Sequence, residues 1–228
     1  MSGVNDMEAR SNPTVRKIGL TQRVTEFSEI KERRDSIDQR WIELLHALRC
    51  IPILLPNHVA VTTDLVRNLS LDGILFTGGN SLSDYGGDAP ERDATELALL
   101  KIAIDEDIPC LGVCRGMQLI QHAFGIKLEA LHGHVATDHL LLGNDRRELR
   151  KVNSYHRFGT DTTIKNLEVL ARSPDGVVEE IRHISLRIHG IMWHPERFAP
   201  FEKTDMQLIN RVFLTNSMQH SNCETGST

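Results

Sequence analysis

Short apolar runs alternate with longer amphipathic stretches through the first half of the chain. Val15 to Leu20, Ile51 to Leu55, Gly73 to Phe76 and Ile108 to Val113 are continuously apolar and rich in β-formers, the pattern of buried strands. Asp38 to Leu48, Val61 to Leu69, Ala94 to Ile104 and Arg115 to Phe124 read as the intervening helices. In the third of these Leu97, Leu100 and Ile104 recur at helical spacing, and Pro90 with Asp93 marks a start upstream. Strands separated by helical crossovers imply a parallel sheet with helices on both faces, because parallel neighbours cannot be joined by tight turns.

The texture changes after Gly125. Leu131 to Arg150 has little periodicity and is punctuated by His and Gly. Strand-like pieces return at Leu167 to Ala171, Val177 to Ile181 and Ile188 to Trp193, the first two joined by the turn Ser173-Pro174-Asp175-Gly176. They predict an antiparallel extension of the same sheet, followed by a last helix over Asp205 to Met218. Residues 1–13 and 219–228 are polar and aperiodic and read as flexible termini around one domain, 14–218, with Cys223 in the tail. The expected architecture is α/β: a three-layer α/β/α sandwich on a mainly parallel central sheet.

Composition narrows the function classes. The 228 residues are 40% hydrophobic and 25% charged, with 26 Lys and Arg against 31 Asp and Glu, a net charge of −5. This lacks the basic excess needed to neutralise phosphates, so nucleic acid is not the expected partner. The apolar runs fall far short of the ~20 residues that span a bilayer, and the N-terminus lacks the basic and apolar regions of a signal peptide. A cytoplasmic location is expected. Cys50, Cys110, Cys114 and Cys223 are too few and too irregularly spaced for a disulfide framework.

The sharpest chemical feature is Gly112-Val113-Cys114-Arg115-Gly116, where a predicted strand meets a predicted helix. Glycines on both sides permit the tight turn of a nucleophile elbow, here with Cys in place of Ser. Cys114 then stands at a helix N-terminus, where the dipole favours a thiolate and the backbone N–H of Arg115 faces a developing oxyanion. Cys110, inside the strand, fits a structural role, and no second Cys pair completes a zinc site. A thiol nucleophile needs a base. Trp193-His194-Pro195-Glu196 supplies His194, with Glu196 two residues on to fix the imidazole, completing a Cys114, His194, Glu196 triad. Phe76-Thr77-Gly78-Gly79-Asn80 follows another strand. Since parallel sheets bind ligands at the carboxyl ends of their strands, Gly79 is placed to offer the second oxyanion N–H. The loop lacks both phosphate-binding patterns, GxxxxGK[ST] and GxGxxG. His132, His134 and His139 form an HxH group with a nearby His and Asp138. It could ligate zinc, but the thiol chemistry needs no metal, so the segment reads as a loop over the active site. No metal ligand and no cofactor is assigned.

From about Lys17 to Phe198 the chain resembles the class I glutamine amidotransferase superfamily, with its flavodoxin-like fold, and within it the stand-alone γ-glutamyl hydrolases. FTGGN, PERDATELALL, LGVCRGMQLI, VNSYH, SPDGVVE and MWHPE stand in the family's order. The resemblance implies attack by Cys114 on a γ-glutamyl amide, proton delivery by His194 to the departing amine, and hydrolysis of a glutamyl thioester. It further implies a substrate pocket formed by Gly78, Asn80, Gln118, Asn153, Ser154, Tyr155 and His156. The LTQR ending of the first strand, with NSYH and MWHPER, is most similar to γ-glutamyl-CDP-amidate hydrolases, a family that supplies a phosphoramidate for surface polysaccharide. A diphosphate leaving group needs cations at the strand ends. Arg23 is placed to serve, with Arg33, Arg34 and Arg157 as weaker candidates. The alternatives are a γ-glutamyl-γ-aminobutyrate-type hydrolase, the glutaminase subunit of a two-protein amidotransferase, and a binding protein that keeps the fold without the chemistry. CRGMQ and the lack of a synthetase domain favour the free hydrolase. A small γ-glutamyl amide is the expected partner, and a homodimer is left open.

Overall fold

The computed structural model describes residues 15–214. Cys223, both expected flexible termini and the last turn of the expected final helix lie outside the described residues. In chain order the elements are β1 (Arg16–Thr21), β2 (Arg23–Phe27), β3 (Glu32–Ser36), α1 (Gln39–Ala47), β4 (Cys50–Leu55), α2 (Val59–Leu69), β5 (Gly73–Phe76), α3 (Pro90–Asp105), β6 (Cys110–Val113), α4 (Arg115–Ala123), β7 (Glu129–Ala130), β8 (Val135–Leu142), β9 (Glu148–Tyr155), β10 (Phe158–Gly159), β11 (Leu167–Arg172), β12 (Val178–His183), β13 (Ile188–Ile191) and α5 (Lys203–Leu214). Among the described residues nine strands form one sheet in the order β4-β1-β5-β6-β13-β12-β11-β8-β9. From β4 to β13 the neighbours run parallel, and from β13 to β9 they run antiparallel.

Alternation along each strand divides the interior into two cores, one on each face of the sheet. Ile74, Phe76 and Cys110 point to the side covered by Val66 of α2, Leu99 of α3 and Met117 and Ile120 of α4. Ile18, Leu20, Leu75, Leu111 and Val113 point to the side covered by Trp41, Leu44 and Leu45 of α1 and Leu208, Ile209 and Phe213 of α5. The molecule is therefore the expected three-layer α/β/α sandwich of flavodoxin-like type, with a parallel half and an antiparallel half.

Several local expectations are corrected. β4 is an edge strand with Ile51 and Leu54 on the surface, which explains how it tolerates Pro52. Arg23–Phe27 and Glu32–Ser36 form a hairpin that their mostly polar residues do not announce. Val135–Leu142 and Glu148–Tyr155 pair as the long antiparallel ribbon β8-β9 where irregular chain was expected. Both strands mix polar and apolar residues without clean alternation, and the register shifts twice, so a period of two never develops. In α3 only Leu100 of the Leu97, Leu100, Ile104 stripe lies in the core. The buried face instead carries Arg92, Thr95, Glu96, Leu99, Ile102 and Ala103.

Candidate active site

The parallel half delivers three segments to one edge of the sheet: the loop after β5, the turn after β6 and the chain leaving β13. Cys114 occupies the turn between β6 and α4 with φ 53° and ψ −106°, a left-handed conformation that costs a non-glycine residue of order 1–3 kcal/mol. The strand side holds it through its N–H to the carbonyl of Ile191 at 2.8 Å, and the helix side through the N–H of Gln118 to its own carbonyl at 3.0 Å. The flanking glycines are sterically required. A Cβ at Gly116 would lie 2.1 Å from the carbonyl oxygen of Phe76, and one at Gly112 would lie 2.6 Å from the backbone of Gly116. The turn thus closes only because α4 can touch both β5 and β6.

His194 leaves β13 two residues after Met192 and is clamped by Asn153. Asn153 Oδ1 accepts from the His194 N–H, and its Nδ2 donates to the His194 carbonyl, both at 2.9 Å. The imidazole Nδ1 meets Glu196 Oε1 at 2.7 Å, and both side chains are buried. That leaves Nε2 for Cys114, which lines the same cleft. Gly78 makes room for the ring, since a Cβ there would lie 2.6 Å from His194 Cε1. Burial pushes the Cys114 thiol upward, but the His194 charge and hydrogen bond, the His156 charge and the Arg115 backbone N–H outweigh it and hold the thiol below its ordinary value. Burial disfavours the charged form of His194, yet Cys114 and Glu196 raise its pKa to about 10. Cys110, with burial and no such partner, is pushed the other way.

Behind this edge lies a buried ionic network. Arg115 pairs with Glu96 and Asp93, and Glu96 also receives Arg92 Nε at 2.9 Å. Arg92 then donates to the carbonyls of Thr77 at 2.7 Å and Gly79 at 2.6 Å. The Arg115 side chain, next to Cys114, is in this way tied through the Glu96 carboxylate and the Arg92 guanidinium to the Gly78-Gly79 loop, whose peptide planes Arg92 fixes. Burial lowers the pKa of Arg92 to about 10, with Glu96 opposing that fall. Glu96 sits below its ordinary value because Arg115 and Arg92 overcome its own desolvation. The segment PERDATELALL contains Arg92, Asp93 and Glu96, but no functional role follows from their spacing. An i, i+4 Arg–Glu pair ordinarily marks a solvated helix face.

A cleft of about 450 Å³ opens over Cys114, lined by Arg23, Gly79, Asn80, Arg115, Gln118, Tyr155, His156 and His194, with Arg157, Phe158 and Arg197 also at its wall. Of the expected pocket residues, Gln118 reaches the cleft and donates Nε2 to the Phe158 carbonyl at 2.8 Å. Asn80 also reaches it, while bonding to both backbone groups of Val24. Tyr155 stands edge-on to the His194 ring, with Arg197 over its face. Gly78, Asn153 and Ser154 are not at the cleft wall; Gly78 lies behind it, against the His194 ring. Asn153 clamps His194, and Ser154 Oγ, fully buried, donates to the His134 carbonyl at 2.7 Å. Alternation accounts for Ser154, on the face opposite Tyr155, but not for Asn153, which is buried on the Tyr155 side because it is drawn onto the His194 backbone. Arg33 and Arg34 are engaged with Glu26, Glu91 and Glu32 away from the cleft. Arg23 and Arg157 line it with no ion pair among the described residues. Arg197, the last residue of MWHPER, to which no role was assigned, stands at the same wall with its Nε 3.9 Å from Glu196. His134 and His139 are not in a loop over the cleft: they lie at the start of and within β8, behind His156.

An elbow-borne thiol facing a carboxylate-held imidazole on an α/β sandwich defines a class of amidotransferase-like folds, and the comparisons give the family. Residues 29–214 match the family model described as glutamine amidotransferase class-I, and the chain belongs to that family. It is 29% identical over 185 residues to the γ-glutamyl-CDP-amidate hydrolase of Campylobacter jejuni, covering 79% of this chain and 90% of that protein. It is 28% identical to a γ-glutamyl-γ-aminobutyrate hydrolase of Escherichia coli O157:H7, covering 81% and 87%. The fold is shared with a glutamine amidotransferase of Thermotoga maritima at 14% identity, with a TM-score of 0.60 over 86% of this chain and 83% of that one. Among the described residues no helix is long and apolar enough to cross a membrane.

Proposed function

We propose that this chain hydrolyses the C–N bond of a γ-glutamyl amide through a thioester on Cys114, and that the departing amine belongs to a nucleoside diphosphate, as in γ-glutamyl-CDP-amidate. The observation that carries the reaction is the buried Cys114–His194–Glu196 line, with 2.7 Å between imidazole and carboxylate. The Cys114 thiolate attacks the γ-carbonyl, and the tetrahedral oxyanion is held by the backbone N–H groups of Arg115 and Gly79. His194 gives its proton to the leaving nitrogen as the C–N bond breaks, leaving a glutamyl thioester. A water molecule then loses a proton to His194 and attacks the thioester, which releases glutamate and returns the thiol–imidazole pair. Gln118 and Tyr155 flank the glutamyl group. Two features support the nucleotide: the Campylobacter relative acts on that substrate by name, and Arg23, Arg157 and Arg197 line the cleft against a single carboxylate, Asp88. Guanidinium groups pair with phosphate oxygens in two-pronged fashion.

Purified chain, without any partner, is assayed on glutamine, γ-glutamyl-γ-aminobutyrate, a γ-glutamyl polyamine and γ-glutamyl-CDP-amidate. The nucleotide amide is expected to be fastest. A faster γ-glutamyl-γ-aminobutyrate removes the nucleotide assignment, and silence on all four in the absence of a synthetase points to a glutaminase subunit. Arg23→Ala is expected to raise KM for the nucleotide amide about tenfold or more while leaving γ-glutamyl-p-nitroanilide nearly untouched. Equal losses on both refute the role of Arg23.

A further inference from the structure

His134, His139, His156 and Glu179 converge from four places in the antiparallel half: the approach to β8, β8 itself, the end of β9 and β12. Their candidate ligand atoms all lie within 4.8 Å of one another. Glu179 is completely buried, and among the described residues neither of its carboxylate oxygens accepts a hydrogen bond. Its Oε1 stands 3.3 Å from His139 Nε2, 3.3 Å from His156 Nε2 and 3.7 Å from His134 Nδ1. His134 Nδ1 and His156 Nε2 are themselves 3.3 Å apart, and His139 Nε2 has no hydrogen-bond partner.

The outward nitrogens decide what the inward ones can do. His156 Nδ1 meets the carbonyl of Phe158 at 3.1 Å, and His134 Nε2 meets a carboxylate oxygen of Asp175 at 2.8 Å. Both partners are acceptors, so each ring in its neutral form places its proton outward and turns a lone pair inward. Two imidazole lone pairs and a buried carboxylate oxygen thus face one another across hydrogen-bond distances, an arrangement that is repulsive unless positive charge sits among them. Orienting a ligating imidazole through its far N–H to a carbonyl or carboxylate is the usual outer arrangement of a metal site. Scale agrees for most of the site: a tetrahedron with metal–ligand bonds of about 2.0–2.1 Å has edges of about 3.3–3.4 Å; four of the six separations run from 3.3 to 3.7 Å, and the widest, on the His139 side, stays within 4.8 Å, so only His139 has to draw inward.

We propose that His134, His139, His156 and Glu179 form a tetrahedral site for a divalent transition-metal ion of the zinc type. Three imidazoles and one carboxylate suit such an ion. With four protein donors the shell is closed and offers no position for water, so the ion is structural: it rivets β8 and the end of β9 to β12. Because His156 also forms part of the cleft wall beside Cys114, the rivet fixes that wall.

The test uses metal binding rather than turnover, so its outcome is independent of the substrate reading. Untagged full-length protein is stripped with a chelator, freed of it, and titrated separately with Zn²⁺ and with Co²⁺. One ion per chain, the strong visible bands of tetrahedral cobalt, their loss on adding Zn²⁺ and a rise of several degrees in the unfolding midpoint are expected. The bands should persist in Cys114→Ala, which excludes thiolate ligation, and vanish in both Glu179→Gln and His139→Ala. Wild-type protein that takes up no ion and shows no change in midpoint would overturn the proposal in favour of protons held between the rings. Weak octahedral cobalt bands, or tetrahedral bands that survive both ligand substitutions, would equally overturn it.

Discussion

Cys114 is nearly inaccessible, and an isolated thiol in such a place would hold its proton, as Cys110 does. The difference lies in its neighbours: an imidazole, a second histidine and a helix-start N–H all favour the thiolate. The thiolate–imidazolium pair therefore exists above the lowered pKa of Cys114 and below the raised value of His194, about 10. As pH falls the thiolate is protonated, and as pH rises the imidazolium loses its proton. The pH dependence of kcat/KM should accordingly be a bell whose acid limb lies below the usual thiol range and whose alkaline limb lies near 10, belonging to the pair rather than to either residue. Alkylation by iodoacetamide that gains rate only above the ordinary thiol pKa, with no difference from Cys114→Ala, contradicts that ion pair. Cys114→Ala should lower kcat by at least about 10⁴-fold with the fold intact, and His194→Ala should be nearly as damaging. Glu196→Gln should cost less, because it disturbs the orientation of the base and leaves the base in place. Steady-state kinetics with circular dichroism of each variant checks the order.

At the scale of elements, the strand-to-helix turn and α3 decide whether the site assembles. Gly116→Ala places a methyl group against the Phe76 carbonyl, a backbone atom that cannot swing aside, so α4 must move off β5. A loss of about 1–3 kcal/mol in unfolding free energy is expected, and denaturant titration measures it. Glu96→Gln removes the charge shared by Arg92 and Arg115, both buried. Breaking one partner out of a buried ion cluster costs about 3–5 kcal/mol. Since Arg92 holds the Gly79 carbonyl, kcat should fall as well; unchanged stability and unchanged kcat would together remove the network from any role. The helices themselves were legible, and Pro90 does open α3. Its inner face was not, because a helix whose buried side is partly ionic has no single apolar stripe, and the eye follows Leu97 and Ile104 to what is in fact the exposed side. The hairpin β2-β3 and the ribbon β8-β9 were hidden for a related reason: strands this polar, and in β8-β9 shifted in register as well, carry no periodic signal.

For the whole molecule, a net charge of −5 and a cleft lined by Arg23, Arg157 and Arg197 oppose each other in the approach of an anionic substrate. Raising ionic strength shortens the Debye length and screens the local attraction. KM for the nucleotide amide should therefore rise with salt, while kcat and the kinetics on γ-glutamyl-p-nitroanilide change little. A salt-independent KM argues against an anionic leaving group at this rim. The two halves of the sheet divide the work. The parallel half presents Cys114, the Gly78-Gly79 loop and His194, the groups proposed as nucleophile, oxyanion cradle and base, at one edge. The antiparallel half supplies Asn153, which holds His194 from β9, and the His134, His139, His156 and Glu179 cluster beneath the cleft wall.

What the sequence by itself determined was local: the elbow glycines around Cys114, the His194-Pro195-Glu196 step and the strand–helix alternation each depend on neighbours within a few residues, where chain connectivity already restricts geometry. Only the tertiary structure decided which distant groups share an electric field. Arg92 reaching back to Gly79, Asn153 clasping His194, and Glu179 of β12 meeting three histidines of the β8-β9 ribbon are contacts between segments far apart in the chain, made by strand order and burial. Their energies come from desolvated charges and buried hydrogen bonds, which no one-dimensional spacing records.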